Sequence, residues 1–327
     1  MTGAIARQRL NPHWVDEKQM AIGDVSFVVT FDLDDLKSYD SSSKRFLLGK
    51  ARPMVDAMVE IRDHEDIRTI VDLGIFKGGS VALYAKLFDP EKLVAIEILP
   101  DPVPALSEFI AREGLDARVK PYYGVSQADA ARVEAILASE FRDQDVDLVV
   151  DDASHYYSET RASFNLIFPY LRPGGIYVVE DWGWVHWAGD TWQKSEAFPQ
   201  FLPALSNLLV EVCMLCASRP DLISSVHVTA STFVIRKGDA RPPRQVRSGR
   251  ALSLSRALVQ AGPLKARMAA IDAADSVGSS GLHTAALASH NGFRQAWRNG
   301  ICSVSTTNPS VRCRARPQSL VFGPGDR

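Results

Sequence analysis

The sequence predicts an α/β fold of the doubly wound kind, built on a mostly parallel sheet. Three observations predict it. Between residues 45 and 239 short apolar runs alternate with longer amphipathic segments, the pattern of strand–helix–strand units. At 327 residues the chain has room for one large α/β domain and an appendage. Two of the apolar runs, DLVVDD and IYVVED, stop abruptly in paired carboxylates, as strands do where a parallel sheet meets a ligand cleft.

Taken in order, residues 1–44 form an N-terminal segment with an acidic turn, FDLDDLKSYDSSS, expected to act as a substrate lid. A helix through residues 48–61 precedes the first strand of the main domain, TIVDLGI. The order GSVALYAKLF, LVAIEI, VPALSEFIAREG, ARVKPYYGV, QADAARVEAILASEF, DLVVDD, ETRASFNLIFPYL, GIYVVED then reads helix, strand, helix, strand, helix, strand, helix, strand. One long helical segment, AFPQFLPALSNLLVEVCMLC, leads to VHVTASTFVIRK, two strand-like runs close enough for a terminal antiparallel hairpin. The sum is a Rossmann-like, seven-stranded sheet with both faces covered by helices. Residues 240–327 differ: 13 Arg/Lys stand against 3 Asp/Glu there, and the alternation is gone. This basic tail is expected to be largely disordered.

Bulk properties exclude several classes. A net charge of −2, with −12 carried before residue 240, argues against nucleic acid or an anionic membrane as the main partner. No run approaches the ~18 apolar residues of a membrane span, and the N-terminus lacks the apolar core of a secretory signal. Four cysteines make no disulfide framework. Cys213 and Cys216 form a CxxC inside an apolar helical run, where packed thiols are the simpler reading. The expectation is a cytoplasmic protein without membrane attachment.

Candidate site residues cluster at the predicted strand ends. In IVDLGIFKGGS, Gly74, Gly78 and Gly79 tolerate positive φ and close approach of a ligand to the backbone. Asp72, at the start of this turn, is placed to meet a ligand's ammonium group. The dinucleotide fingerprint GxGxxG is not met, because Phe76 stands at its second glycine. Glu97 ends LVAIEI, where an acid accepts hydrogen bonds from ribose hydroxyls; its alternative is a solvated strand end. Gly124, Ser126 and Gln127 follow the third strand, where an adenine would rest, although Ser126 also suits a helix N-cap. Asp151, Asp152, Glu180 and Asp181 would converge on one rim. So many carboxylates repel one another unless a cation is present, and a hard divalent ion such as Mg²⁺ is the economical resolution, with Asp152, Glu180 and Asp181 supplying oxygens. The competing reading is that these acids cap helices or pair with Arg161 or Arg172. His155 fits a general base or a structural histidine, with His186 as a second choice. Trp182, Trp184, Trp187 and Trp192 crowd the following loop, as walls around an acceptor or as buried anchors, and Tyr156 and Tyr157 lie close by.

DLGIFKGGS, AIEI, VVDDASH and RPGGIYVVEDW resemble class I S-adenosylmethionine-dependent methyltransferases. The resemblance is greatest to the metal-dependent O-methyltransferases of macrolide sugars and the cephalosporin hydroxylase-like group, and it spans about residues 45–237. DDxSH followed by GGxYVxED, with Glu180 28 residues after Asp152, is its most specific part. The resemblance implies that Asp152, Glu180 and Asp181 bind Mg²⁺ and that His155 is the base. It implies that Gly74 and Glu97 hold the cofactor, S-adenosyl-L-methionine, with Asp151 in the shell that positions the site; Asp72, Gly78, Ser126 and Gln127 are the further candidates for contact with that cofactor. It further implies methyl transfer to a hydroxyl of a small molecule, a sugar or secondary metabolite, in a protein that assembles as a homo-oligomer. Two rivals differ in class. A nicotinamide-dependent oxidoreductase lacks its GxGxxG and any YxxxK here, and a non-catalytic cofactor-binding protein would have no use for the acids and His155.

Overall fold

The computed structural model describes residues 10–242 except 143, 190–192 and 195–201. The basic tail expected to be disordered lies outside the described residues from 243 on, as do Trp192 and residues 197–201 of the long predicted helix.

The N-terminal part is a small sheet. Strands β1 (His13–Trp14), β2 (Gln19–Ile22) and β3 (Val25–Val29) run antiparallel, and β4 (Arg45–Leu48) pairs parallel with β3. The sheet thus runs past residue 44, to Leu48. Alternate residues of VSFVV are buried, with Val25, Phe27 and Val29 facing inward, which is strand periodicity the sequence reading passed over. The acidic turn is helix α1 (Leu33–Ser38), capped by Asp32, whose carboxylate accepts from the backbone N–H of Asp34 and Asp35. Helix α2 (Arg52–His64) starts with a proline in its first turn, four residues later than expected.

The main sheet contains β5 (Thr69–Leu73), β6 (Lys92–Ile96), β7 (Val119–Tyr122), β8 (Val146–Asp151), β9 (Leu171–Glu180), β10 (Ile223–Val228) and β11 (Thr232–Lys237). Their order is β10-β11-β9-β8-β5-β6-β7, parallel from β9 to β7, with β11 antiparallel to β9 and β10 to β11. The predicted seven-stranded sheet and its terminal hairpin are therefore present. Helices α3 (Gly79–Phe88), α4 (Pro104–Arg112), α5 (Ala130–Phe141), α6 (Tyr157–Ile167) and α7 (Ser206–Ser218) cover its faces. Helix α7 begins only after Pro203, which has no N–H to give and crowds the turn before it. It carries Cys213 and Cys216 as free thiols.

Two cores result. One joins the N-terminal sheet (Met20, Phe27, Phe46, Leu48) to α2, α3 and α4 and to one sheet face, including Ile70, Leu148, Val150 and Val178. The other packs α5, α6 and α7 on the opposite face, with Leu73, Val149, Tyr177 and Val179. The segment expected to act as a lid thus belongs to a core. A Cβ on Gly79 would sit 2.0 Å from the Leu47 carbonyl oxygen, so only glycine lets α3 lie this close to β4.

The chain passes from β5 outward through β6 and β7, then returns to β8 on the other side of β5. The C-terminal tips of β5 and β8 flank this reversal, where open α/β sheets bind ligands.

Candidate functional site

Register decides which acids meet. Leu73 pairs with Asp151, and Asp151 with Val179. One residue further, Gly74, Asp152 and Glu180 form the next row across three adjacent strands. Side chains alternate between faces, so Asp151 points toward α6 while Asp152 and Glu180 point toward the N-terminal sheet.

On the α6 side Asp151 is 2% exposed and saturated. It accepts from Ser163 Oγ (2.6 Å), Tyr177 Oη (2.9 Å) and Gln127 Nε2 (3.2 Å). Burial raises its pKa to about 6, with the Ser163 and Tyr177 hydroxyls working against that rise. Gln127 also donates to Ser163 Oγ, and its carbonyl accepts the Ser154 N–H. The amide expected at an adenine is thus spent on bracing the Ser154–His155 loop. Ser126 accepts from the Ala128 N–H, and the cap of α5 is Asp129, which corrects the N-cap reading of Ser126.

On the other side the cation is Lys50, 1% exposed. Its ammonium donates to Asp152 Oδ2 at 3.0 Å and to Glu180 Oε2. Burial pulls its pKa down, but the Asp152 and Glu180 carboxylates outweigh that and hold it well above the ordinary lysine range. The expected arginines are engaged elsewhere: Arg161 with Glu211, and Arg172 with Asp147 and Glu65. Lys50 lies 102 residues from Asp152, directly after Gly49 at the end of the apolar FLL. Nothing in the sequence pattern marked it; that run stopping at a glycine and a lysine was the one available signal.

Asp152, His155 and Asp181 each offer a ligand atom within 4.8 Å of the other two, and they are the one group of acids or histidines among the described residues with such spacing. His155 Nε2 is 4.0 Å from Asp152 Oδ1. Glu180, paired with Lys50, falls outside this group, so of the predicted triad of Asp152, Glu180 and Asp181 two members share this spacing. Asp181 joins through a backbone turn at φ 51°, its N–H bonded to the Ser231 carbonyl. Burial raises its pKa to about 6, with His155 opposing and Asp152 adding to the rise. His155 has φ 58° and Phe76 φ 50°. Three non-glycine residues in the left-handed region thus surround one site, which is costly and typical of functional centres. The indole of Trp184, 2% exposed, donates to the His155 carbonyl at 2.9 Å, and Tyr156 packs edge-on against it. The buried-anchor reading therefore describes Trp184. Trp182 is likewise tied, to the Thr229 carbonyl. His186 meets Ser206 and Tyr157 meets Glu211, which places neither at the acids.

Of the seven buried side-chain polar atoms left without a hydrogen bond among the described residues, four belong to this rim: Glu180 Oε1, Asp181 Oδ1, His155 Nδ1 and Asp72 Oδ1. Such groups are costly unless something pairs with them, and this donor set, mostly carboxylate oxygens, suits a hard cation.

The glycine turn abuts this rim. Gly74 has φ 98°, and a Cβ there would lie 2.3 Å from the Asp152 carbonyl oxygen, so β5 and β8 touch backbone to backbone. Gly78, at φ 85°, is the N-cap of α3. Asp72 accepts from Ser80 Oγ at 2.7 Å, and burial raises its pKa to about 7 against the pull of Ser80 and Lys50. Glu97 is 2% exposed and accepts from the N–H groups of Ile75 (3.1 Å), Phe76 (2.9 Å) and Leu99 (2.9 Å). Rather than a solvated strand end, it is the clamp that fastens the glycine turn to the tip of β6.

Residues 71–182 match the model of a family described as "Methyltransferase domain". Among curated proteins, the chain is 27% identical to mycinamicin VI 2''-O-methyltransferase of Micromonospora griseorubida, over 48% of this chain and 38% of that one. It is 26% identical to 8-demethyl-8-alpha-L-rhamnosyl tetracenomycin-C 2'-O-methyltransferase of Streptomyces olivaceus, over 55% of this chain and 60% of that one. The chain thus spans less than two thirds of these relatives. A solved structure described as the MycE methyltransferase from the mycinamycin biosynthetic pathway, in complex with Mg and SAH, aligns with a TM-score of 0.43 at 23% identity, covering 61% of this chain and 51% of that one. Over residues 71–182 the chain is thus similar to a methyltransferase domain, and the curated relatives it matches are O-methyltransferases.

Proposed function

We propose that the protein is an O-methyltransferase that uses S-adenosyl-L-methionine and Mg²⁺ to methylate a hydroxyl of a small molecule, a sugar-bearing secondary metabolite. The observation that carries this reading is the group of Asp152, His155 and Asp181 at the tips of adjacent strands, beside the Gly74 turn. The relatives' names, which specify sugar-bearing acceptors, support the substrate class.

Asp152 and Asp181 would hold the ion. Mg²⁺ prefers oxygen ligands, which leaves the His155 imidazole for proton transfer. When bound, the ion supplies positive charge that lowers the acceptor hydroxyl's pKa, and the sulfonium supplies an electrophilic methyl group. His155, held by the Trp184 indole at its own carbonyl, takes the hydroxyl proton as the oxygen attacks. The turn from Asp72 to Gly78, clamped by Glu97, positions the donor, and Asp72 Oδ1 has an acceptor position for its ammonium group. Placement of the two reactants supplies most of the remaining acceleration.

The test is methyl transfer from labelled S-adenosylmethionine to a panel of glycosylated acceptors, with and without EDTA. Product formation that EDTA suppresses and Mg²⁺ restores is expected. Cofactor binding with no transfer to any acceptor would favour a non-catalytic protein, and transfer indifferent to EDTA would remove the ion.

A further inference from the structure

We infer that Phe31 and Phe76 form the acceptor-binding wall of this site: the ring face of a neutral glycoside packs on Phe31, at the tip of the N-terminal sheet, with α1 as the spacer to Phe76. The inference rests on the sugar-acceptor reading above and adds to it two specificity-determining residues and a charge preference.

Position comes first. The backbone N–H groups of Thr30 (3.1 Å) and Lys50 (2.8 Å) both donate to the Leu48 carbonyl, so the tips of β3 and β4 lie side by side. Lys50 reaches from there to Asp152 and Glu180. Phe31, the residue after Thr30, therefore stands at the edge of the rim. Val25, Phe27 and Val29 are buried in alternation, and Phe31 is the next position of that series, where the core has ended: it is 43% exposed. Phe76 belongs to the glycine turn itself and is 38% exposed. Lys77 Nζ lies 5.7 Å from the centre of the Phe76 ring and donates to the carbonyls of Lys37 (3.2 Å) and Tyr39. That ring is thus on the side of the turn that meets the C-terminal end of α1, while Phe31 directly precedes Asp32, the N-cap of the same helix. The two rings flank a helix of 6 residues, about 9 Å long, a spacing that a sugar and its aglycone can bridge.

The backbone that presents Phe31 is tied on both sides. Thr30 Oγ1 accepts from the Asp32 N–H at 2.9 Å and donates to Asp35 Oδ2 at 3.2 Å. The ring is therefore held in place before any ligand arrives, which lowers the entropy cost of binding. A flat apolar ring beside a polar rim suits a sugar, whose C–H groups make one face apolar and whose hydroxyls are left for the rim. The wall also carries charge. Residues 31–40 hold Asp32, Asp34, Asp35 and Asp40 against Lys37, and Asp32, Asp34 and Asp40 are exposed, so an anionic acceptor is repelled. Glu97 accepts the Phe76 N–H, and a substitution at Phe76 would disturb the donor turn as well. Phe31 is the residue to test.

The probes are para-nitrophenyl β-D-glucopyranoside, which is neutral, and para-nitrophenyl β-D-glucuronide, its anionic counterpart. Each is titrated by ligand-observed NMR into the full chain in the presence of S-adenosylhomocysteine and Mg²⁺. The parent should bind the glucoside at least about fivefold more tightly than the glucuronide. Phe31→Ala should weaken glucoside binding by about tenfold or more, while Phe31→Tyr, which keeps the ring, should stay within about threefold of the parent. S-adenosylhomocysteine affinity, read by calorimetry, should match the parent's in both variants. Parent-like glucoside binding by Phe31→Ala would overturn the inference, as would an equal loss of S-adenosylhomocysteine affinity, the mark of a structural role. No glucoside binding by the parent would overturn it too, even where labelled methyl transfer to another acceptor upholds the enzyme reading. Equal binding of the two probes would strike out the charge preference. Glucoside binding that depends on Phe31, in a protein that transfers no methyl group, would uphold the wall and overturn the enzyme reading.

Discussion

Asp151 and Asp152 are neighbours in the chain and opposites in the fold. On the α6 face, Asp151 is met by Ser163, Tyr177 and Gln127, all neutral and all within hydrogen-bonding distance. On the opposite face, Asp152 and Glu180 share the ammonium of Lys50, Asp181 and His155 stand beside Asp152, and several oxygens lack hydrogen-bond partners among the described residues. The first arrangement is complete in itself and rigidifies what it touches. The second is unfinished, with backbone held at φ 58° and 51° on either side, and it is the one with a task left for a ligand. Satisfaction of hydrogen bonds, more than the presence of acids, tells the structural carboxylate from the functional ones.

The sharpest way to break this contrast is to exchange the roles by mutation. Asp152→Asn should abolish metal-stimulated methyl transfer while S-adenosylmethionine affinity, read by calorimetry, stays close to the parent's. Parallel loss of both would make Asp152 as structural as Asp151. His155→Ala should lower turnover by about 10²–10⁴ if it is the base, with the fold intact by circular dichroism. Unchanged turnover would take it out of the chemistry. Lys50→Met, which strands buried carboxylates without their cation, should cost about 3–5 kcal/mol in denaturant unfolding of the metal-free protein. A loss below about 1 kcal/mol would mean the acids were never charged together. Asp151→Asn should show the smallest effect: about 1–3 kcal/mol of stability from the disturbed network, and turnover reduced far less than by Asp152→Asn. A turnover loss as large as that of Asp152→Asn would erase the distinction between the two faces.

The alternation of β5 through β9 with its helices was legible because buried parallel strands are continuous apolar runs, and each ends visibly in a charged or glycine residue. The rim acids were legible for the same reason, as paired charges that end the apolar runs LVV and IYVV. Glu97 and Gln127 take on bracing bonds in the fold that the sequence does not show. Both types are ordinary ligand contacts, and only the surrounding backbone shows that Glu97 clamps the N–H groups of Ile75, Phe76 and Leu99 and that Gln127 braces Asp151 and Ser154. Of the N-terminal strands, β1 and β2 have only 2 and 4 residues, too short for a periodicity to declare itself, whereas β3 carries its alternation in VSFVV.

By itself, the sequence determined the doubly wound sheet, the glycine turn and the convergence of acids and His155 on one edge, since strand periodicity and element order are local properties that topology rules then assemble. Tertiary structure alone decided which cation those acids face. Lys50 comes from the turn that follows a separate sheet, 102 residues before Asp152 in the chain, and an ion pair of that span leaves no local pattern: its two halves are brought together by the packing of β4 on α3, and nothing in either segment specifies the other.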